Sequence, residues 1–171
     1  GGDALAMARL LLTEGYKPKV VLFNISDKLS EDCAINKQRL VEIKHFKNFT
    51  EVTTTFDPPE LTADTLVIDG LFGTGISKPL AGGFASLVKY INQSPAKVVS
   101  IDIPSGLMPE DNSLNVTANI IRADLTLTLH QKKLSFFFSD AQAYLGRIKI
   151  LDIRLDRNFI DKTECQFTLL E

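Results

Sequence analysis

Two acidic residues sit where an apolar run gives way to a loop of unusual composition. Asp69 ends residues 65–69 (TLVID) and is followed by GLFGTGISKP, and Asp102 ends residues 97–102 (KVVSID) and is followed by IPSG. Asn24, after residues 19–23 (KVVLF), is a third polar residue of this kind. On neighbouring strands the two carboxylates are expected close together, an arrangement that is costly unless a cation lies between them or one is protonated. The Ser105 hydroxyl joins the same edge. Oxygen donors without His or Cys suit a hard cation and disfavour zinc.

The glycine loop narrows the chemistry. Residues 70–75 have the G-x-x-x-x-G frame of a phosphate-binding loop, but Ile76-Ser77 stands where Lys-Ser/Thr is required. Triphosphate hydrolysis is therefore disfavoured. Gly73-x-Gly75 also lacks the third glycine of a dinucleotide fingerprint. Two readings stay open, a nest of backbone amides for a phosphate-bearing ligand and a merely structural turn. Lys132 and Lys133 follow the TLTL run, where they either meet a phosphate or make a solvated turn. His130 could reach the same edge, whereas His45, among lysines, reads as a solvated loop residue. Phe136, Phe137 and Phe138 read as core or subunit contact, and no Ser-His-Asp or Cys-His set is evident.

These residues need a scaffold, and the periodicity supplies one. Leu5, Ala8, Leu11 and Leu12 predict a helix over residues 3–14, with Gly15 at its C′ position. Ser30 caps a second helix, Glu31 and Asp32 in its first turn, running to about Ile43. A third spans residues 82–94, with Phe84, Leu87, Val88 and Ile91 on one face. Strands are expected at 19–23, 65–69, 97–102, 124–129 and 147–153. Their continuous apolar character is that of a parallel sheet covered on both faces. The ~33 residues from Asp69 to Asp102 are the length of one βαβ unit. The expected fold is α/β: a three-layer, doubly wound, mostly parallel, Rossmann-like sheet, with ligands beyond the carboxyl ends of the strands.

Composition bounds the rest. The 171 residues make one domain, 44% apolar and 23% charged, as in ordinary globular proteins. A formal net charge of −2 gives no footprint for nucleic acid or anionic membrane. Cys33 and Cys165 form no C-x-x-C pair, so a cysteine zinc site and a disulfide framework are disfavoured. No apolar run approaches the ~20 residues that span a bilayer, and no leader pattern opens the chain. A cytoplasmic enzyme or binding domain is expected, and the Asn-x-Ser/Thr triplets at Asn24, Asn48, Asn92 and Asn115 read as chance matches. No strand precedes the first helix, so an upstream segment is expected in the parent protein. Residues 156–171 show no clear period and read as a tail or linker.

GGD opening a helix, IDGLFGTGISKPL after one strand and SIDIPSGL after the next resemble the YjeF N-terminal domain family, the NAD(P)H-hydrate epimerases. The similarity continues through RADLTLTL, Lys133-Leu134 and YLGRI to about Leu155, so residues 1–155 are expected to be the domain. The resemblance implies interconversion of the R and S forms of hydrated NADH and NADPH (NADHX and NADPHX), a repair reaction. It implies a potassium ion (K+) held by Asp69, Ser105 and an Asn of an N-N-G-G-D loop. Substrate-binding positions map to Gly1, Gly2 and Asp3, to Gly73, Thr74, Gly75, Ile76, Ser77, Lys78 and Pro79, and to Asp102 and Lys133. The family's habit is a homodimer, often fused to an ADP-dependent dehydratase domain, towards which residues 156–171 would lead.

Three departures from the family pattern stand out. The asparagine pair is absent, which would leave the cation one ligand short. Ala4 replaces a common Gly, and His130-Gln131-Lys132 replaces a smaller stretch, narrowing the pocket. Epimerisation at C6 requires reversible C–O cleavage or ring opening, and both need proton transfer at the C6 oxygen. Asp102 is the expected general acid/base. The alternatives are a non-catalytic nucleotide- or protein-binding module of the same fold, against which Asp102 and Ser105 argue, and a small-molecule kinase, against which the missing lysine argues.

Overall fold

The computed structural model describes residues 1–26 and 28–165. Six strands occur in chain order: β1 (Val20–Phe23), β2 (Phe49–Val52), β3 (Leu66–Asp69), β4 (Lys97–Ile101), β5 (Leu125–Leu129) and β6 (Arg147–Leu151). The helices are α1 (Gly2–Thr13), α2 (Glu31–Val41), α3 (Gly82–Gln93), α4 (Gln142–Leu145) and α5 (Arg157–Lys162). Every strand pair is parallel, as the apolar runs require. The expected single sheet is divided, however, into β1–β2 and β3–β4–β5–β6.

Local chemistry accounts for the elements. Leu5 and Ala8 of α1 pack with Leu22 of β1 and with Cys33 and Leu40 of α2. The Ser30 side chain accepts from the Cys33 N–H at the start of α2, the expected N-cap. Val88 and Ile91 of α3 pack on Val98 of β4, while Phe84 and Leu87 are only partly buried and Ala85 is buried instead. A Cβ built on Gly70 would meet Ala4 of α1 and Ile101 of β4. Val98 and Ile101 are an odd number of residues apart and face opposite sides of the sheet, so α1 and α3 cover opposite faces. That makes three layers.

Beyond α3, Ile103, Leu107, Ile120, Tyr144 and Leu145 form another core cluster. The alternating polar positions of DLTLTL are buried: Thr126 and Thr128 are both enclosed, and the Thr126 hydroxyl donates to the Leu145 carbonyl at 2.7 Å. Short elements were not expected, among them α4, β2 and α5. The four-residue β2 pairs with β1 beside a lysine-rich loop, and Phe49 packs on the core cluster of α1, β1 and α2. Residues 157–162 form α5 where an irregular tail was expected, with the Asp156 side chain accepting from the Phe159 N–H at 3.1 Å. The last residues of that tail, 166–171, lie outside the described residues.

Candidate functional site

The carboxyl ends of β3 and β4 carry Asp69 and the residue after Ile101, Asp102. Asp69 is 2% exposed, and both of its carboxylate oxygens accept hydrogen bonds. Oδ1 accepts from the Ser105 hydroxyl at 2.5 Å and weakly from the Leu71 N–H, while Oδ2 accepts from the Ser100 hydroxyl at 2.7 Å and the Ser105 N–H at 2.8 Å. Ser100 is opposite Asp69 in the β3–β4 register. Burial pushes the Asp69 carboxyl above the usual carboxylate range, against the opposing pull of the Ser105, Ser100 and Leu71 donors. No Lys, Arg or His neutralises it among the described residues.

Asp102 is built differently. Its φ of +68° and a 2.9 Å bond from the Ile103 N–H to the Ile101 carbonyl make it the centre of a γ-turn of the strained hand. His130, at the end of the adjacent β5, repeats that geometry, with φ +63° and a bond from the Gln131 N–H to the Leu129 carbonyl. Strain of this kind costs on the order of 1–3 kcal/mol and persists where the surroundings over-determine it, commonly at functional sites. Asp102 Oδ1 accepts from the Leu129 N–H at 3.1 Å and pairs with Lys133 Nζ at 2.6 Å. Lys133 Nζ also contacts the carbonyls of Leu129 and Gln131. Oδ2 of Asp102 carries no partner among the described residues.

At the shared edge of β3 and β4 each acid has its own partners. Asp69 turns inward to the β4 serine and the IPSG turn, and Asp102 turns outward to the end of β5, where Lys133 supplies the compensating charge. The γ-turn at Asp102 stands one position past the last residue of β4.

The loops complete the edge. Ser105 accepts from the Phe72 N–H at 3.0 Å, tying IPSG to the glycine loop. Gly106 has φ +96°, and a Cβ there would fall 2.3 Å from the Asn119 carbonyl oxygen, so a glycine is obligatory. Gly73 and Gly75 contrast with it. Neither has positive φ, and a Cβ on either would meet nothing within 4 Å. The fold itself does not demand glycine there, which favours close approach of a ligand over a structural turn. Thr74, Gly75, Ser77 and Lys78 are exposed, while Gly73, Ile76 and Pro79 are half-buried.

Gly1 and Gly2 lie against Cys33 and Asp32, so the first turns of α1 and α2 meet, and Ala4 on Gly70 brings both beside the glycine loop. Asp3, in the first turn of α1, is exposed. Of the lysines expected after β5, Lys133 is committed to Asp102, and Lys132 reaches over the Phe137 ring. The His130 Nδ1 is 3.4 Å from Asp152 beyond β6. Asn24 is buried and donates to Glu51 at 2.9 Å, while the Lys37 pair, with Asn24, holds the Glu51 carboxyl below its usual range. Sequence reasoning missed Ser100. Its polarity inside an apolar run was the available signal, but the register that sets it against Asp69 was not.

Comparison with known proteins settles the family. The family model described as YjeF-related protein N-terminus matches residues 1–135. The chain belongs to the YjeF N-terminal family. Within that family it is similar to a protein named NAD(P)H-hydrate epimerase from Limosilactobacillus fermentum, 32% identical over 89% of this chain and 69% of that protein. A Nitrosopumilus maritimus protein of the same name is 38% identical over 78% of this chain and 60% of its own length. A Dictyoglomus turgidum protein named bifunctional NAD(P)H-hydrate repair enzyme Nnr is 32% identical, with 86% of this chain matching 28% of it. No helix among the described residues is long and apolar enough to cross a membrane.

Proposed function

We propose that this YjeF N-terminal domain epimerises the R and S forms of hydrated NADH and NADPH, with Asp102 as the general acid/base. The observation that carries the reading is the strained turn that holds an ion-paired Asp102 with one oxygen open, at the sheet edge where Ser105 ties the turn after β4 to the glycine loop. The names of the relatives supply the substrate class. Asp102 Oδ2 takes the proton of the C6 hydroxyl. The C6–O bond becomes a carbonyl, and the C6–N bond breaks with its electron pair moving to nitrogen. Reclosure on the other face returns the proton and inverts C6. Lys133 holds Oδ1 and leaves Oδ2 for the transfer. Substrate contacts are assigned to Gly1, Gly2, Asp3, residues 73–79 and Lys133.

Asp69, Ser105 and the Phe72 carbonyl fit a monovalent cation. They are oxygen donors around a buried carboxylate with no other counter-charge, and the described residues hold no cluster of three His, Cys, Asp or Glu that would take a transition metal. Potassium is the proposed ion; when bound, it supplies a positive charge beneath the substrate loop. Ser100 keeps Asp69 oriented. The proposal extends to a cytoplasmic homodimer, to residues 1–155 as the domain, and to residues 156–171 as a linker towards a dehydratase domain of the kind that a bifunctional relative's name suggests. Neither nucleic acid nor membrane enters this reading.

The test is conversion of purified (R)-NADHX, followed by chiral chromatography, with and without potassium, in the protein carrying this chain. Potassium-dependent epimerisation is expected, and Asp102→Asn should lower kcat by ~10²–10⁴-fold. A wild-type rate in that variant would remove Asp102 from the mechanism. No turnover under any condition would leave a binding module.

A further inference from the structure

The loop after IPSG and the segment after Lys133 enclose a cavity of about 650 Å³, the size of a small-molecule site. Both of its walls are braced. On one side the Asn112 side chain accepts from the Met108 N–H and donates to the Met108 carbonyl, each at 2.9 Å. The Asn115 side chain donates to the Gly106 carbonyl at 2.8 Å. The opposite wall is a short helical turn over Leu134–Phe137, followed by α4. The Ser135 N–H donates to the Pro109 carbonyl at 2.9 Å and joins the two walls. Leu107, Ile120, Leu134 and Tyr144 give the interior an apolar lining. None of the residues assigned above to the substrate or the cation lines it.

Two features of this lining point to a ligand. Ser135 is 1% exposed, and its hydroxyl carries no hydrogen-bond partner among the described residues. A buried hydroxyl left without a partner is costly, and a ligand that bonds to it removes that cost. The second feature is charge. Every charged residue of the lining is acidic: Glu110, Asp111 and Asp140, all exposed at the mouth. None of them is in an ion pair among the described residues. The Ser113 N–H, at 2.8 Å, holds the Asp111 carboxyl below its usual range and keeps it ionised. No trio of His, Cys, Asp or Glu among the described residues is placed to hold a metal ion, so the negative charge is spread around the mouth. A spread charge suits an organic cation, and Phe138 and Tyr144 add aromatic surface that attracts ammonium groups. We propose that this cavity binds an organic amine. Its ammonium lies among the three acids, its apolar body against the inner lining, and a hydroxyl at its far end on Ser135.

Calorimetric titration with tyramine tests this on the protein carrying this chain, because tyramine holds an ammonium, a ring and a hydroxyl in that order. Saturable binding is expected, with an affinity that falls as salt is raised. The carboxylate counterpart, para-hydroxyphenylacetate, should bind at least ~10-fold more weakly. Glu110→Gln combined with Asp140→Asn, both at exposed positions, should weaken tyramine by about 5-fold. Ser135→Ala should weaken tyramine by about 3- to 10-fold and leave phenethylamine, which lacks the hydroxyl, where it was. That contrast separates a lost contact from a disturbed wall. Equal binding of tyramine and the carboxylate would overturn the proposal, as would the absence of saturable binding at millimolar tyramine. Equal weakening of both amines by Ser135→Ala would remove the hydroxyl contact and overturn it too. Loss of tyramine binding in Asp102→Asn, with the double acid variant unaffected, would place the amine at Asp102 and do the same.

Discussion

Asp69 is a buried acid whose partners are all neutral, and this gives it a measurable signature. Desolvation raises its folded-state pKa above the unfolded value near 3.9, so its contribution to stability is full below about pH 4 and is lost as pH rises through the raised value. In potassium-free buffer, urea unfolding from about pH 4 to about pH 8 should show wild type losing stability relative to Asp69→Asn as pH increases. An Asn at this position can still accept from the Ser105 N–H and donate to the Ser105 hydroxyl, so the variant should fold. Potassium added at neutral pH should raise the Tm of wild type and leave that of Asp69→Asn unmoved. A wild-type-minus-variant difference that is flat across pH would mean that Asp69 is adequately solvated by its four donors.

The elements differ in how much freedom they leave their glycines. Gly70 is where β3 passes under α1, and a Cβ there would be 2.5 Å from that of Ala4. Gly70→Ala should therefore destabilise by about 1–3 kcal/mol through overpacking, and should shift the α1 terminus away from the site. Gly73→Ala meets open space and should change stability by no more than about 0.5 kcal/mol. If the loop receives substrate, that same variant should raise KM while leaving the unfolding midpoint in place. Denaturant unfolding and steady-state kinetics on the two variants separate packing from binding. An unchanged KM in Gly73→Ala would return the glycine loop to a structural turn.

For the molecule as a whole, a net charge of −2 offers little electrostatic resistance to self-association. Sedimentation equilibrium is expected to give twice the 18.9 kDa chain mass, and a single-chain mass at micromolar concentration would remove the homodimer from the proposal. Much at this scale was legible in the residues. The apolar runs at Val20–Phe23, Leu66–Asp69 and Lys97–Ile101 announce parallel strands because residues covered on both faces have no reason to alternate. Ser30 announces its helix because the cap is a local bond, complete within three residues. The short β2 and α5 were not legible: one is too short to set a period and is fixed by its pairing with β1, and the other is a single exposed turn and a half with no apolar face to set a period. Asp69, Asp102, Ser105 and the glycine loop were visible as types and spacings, and the order of the strands does bring them to one edge. What they do there was left to tertiary geometry. A side chain's aim depends on register and on turn conformation, so only the folded chain turns Asp69 inward to Ser100 and lifts Asp102 on a strained turn to Lys133. The split between β1 and β3 is of the same kind, because a strand edge is unpaired only relative to what lies beside it in space.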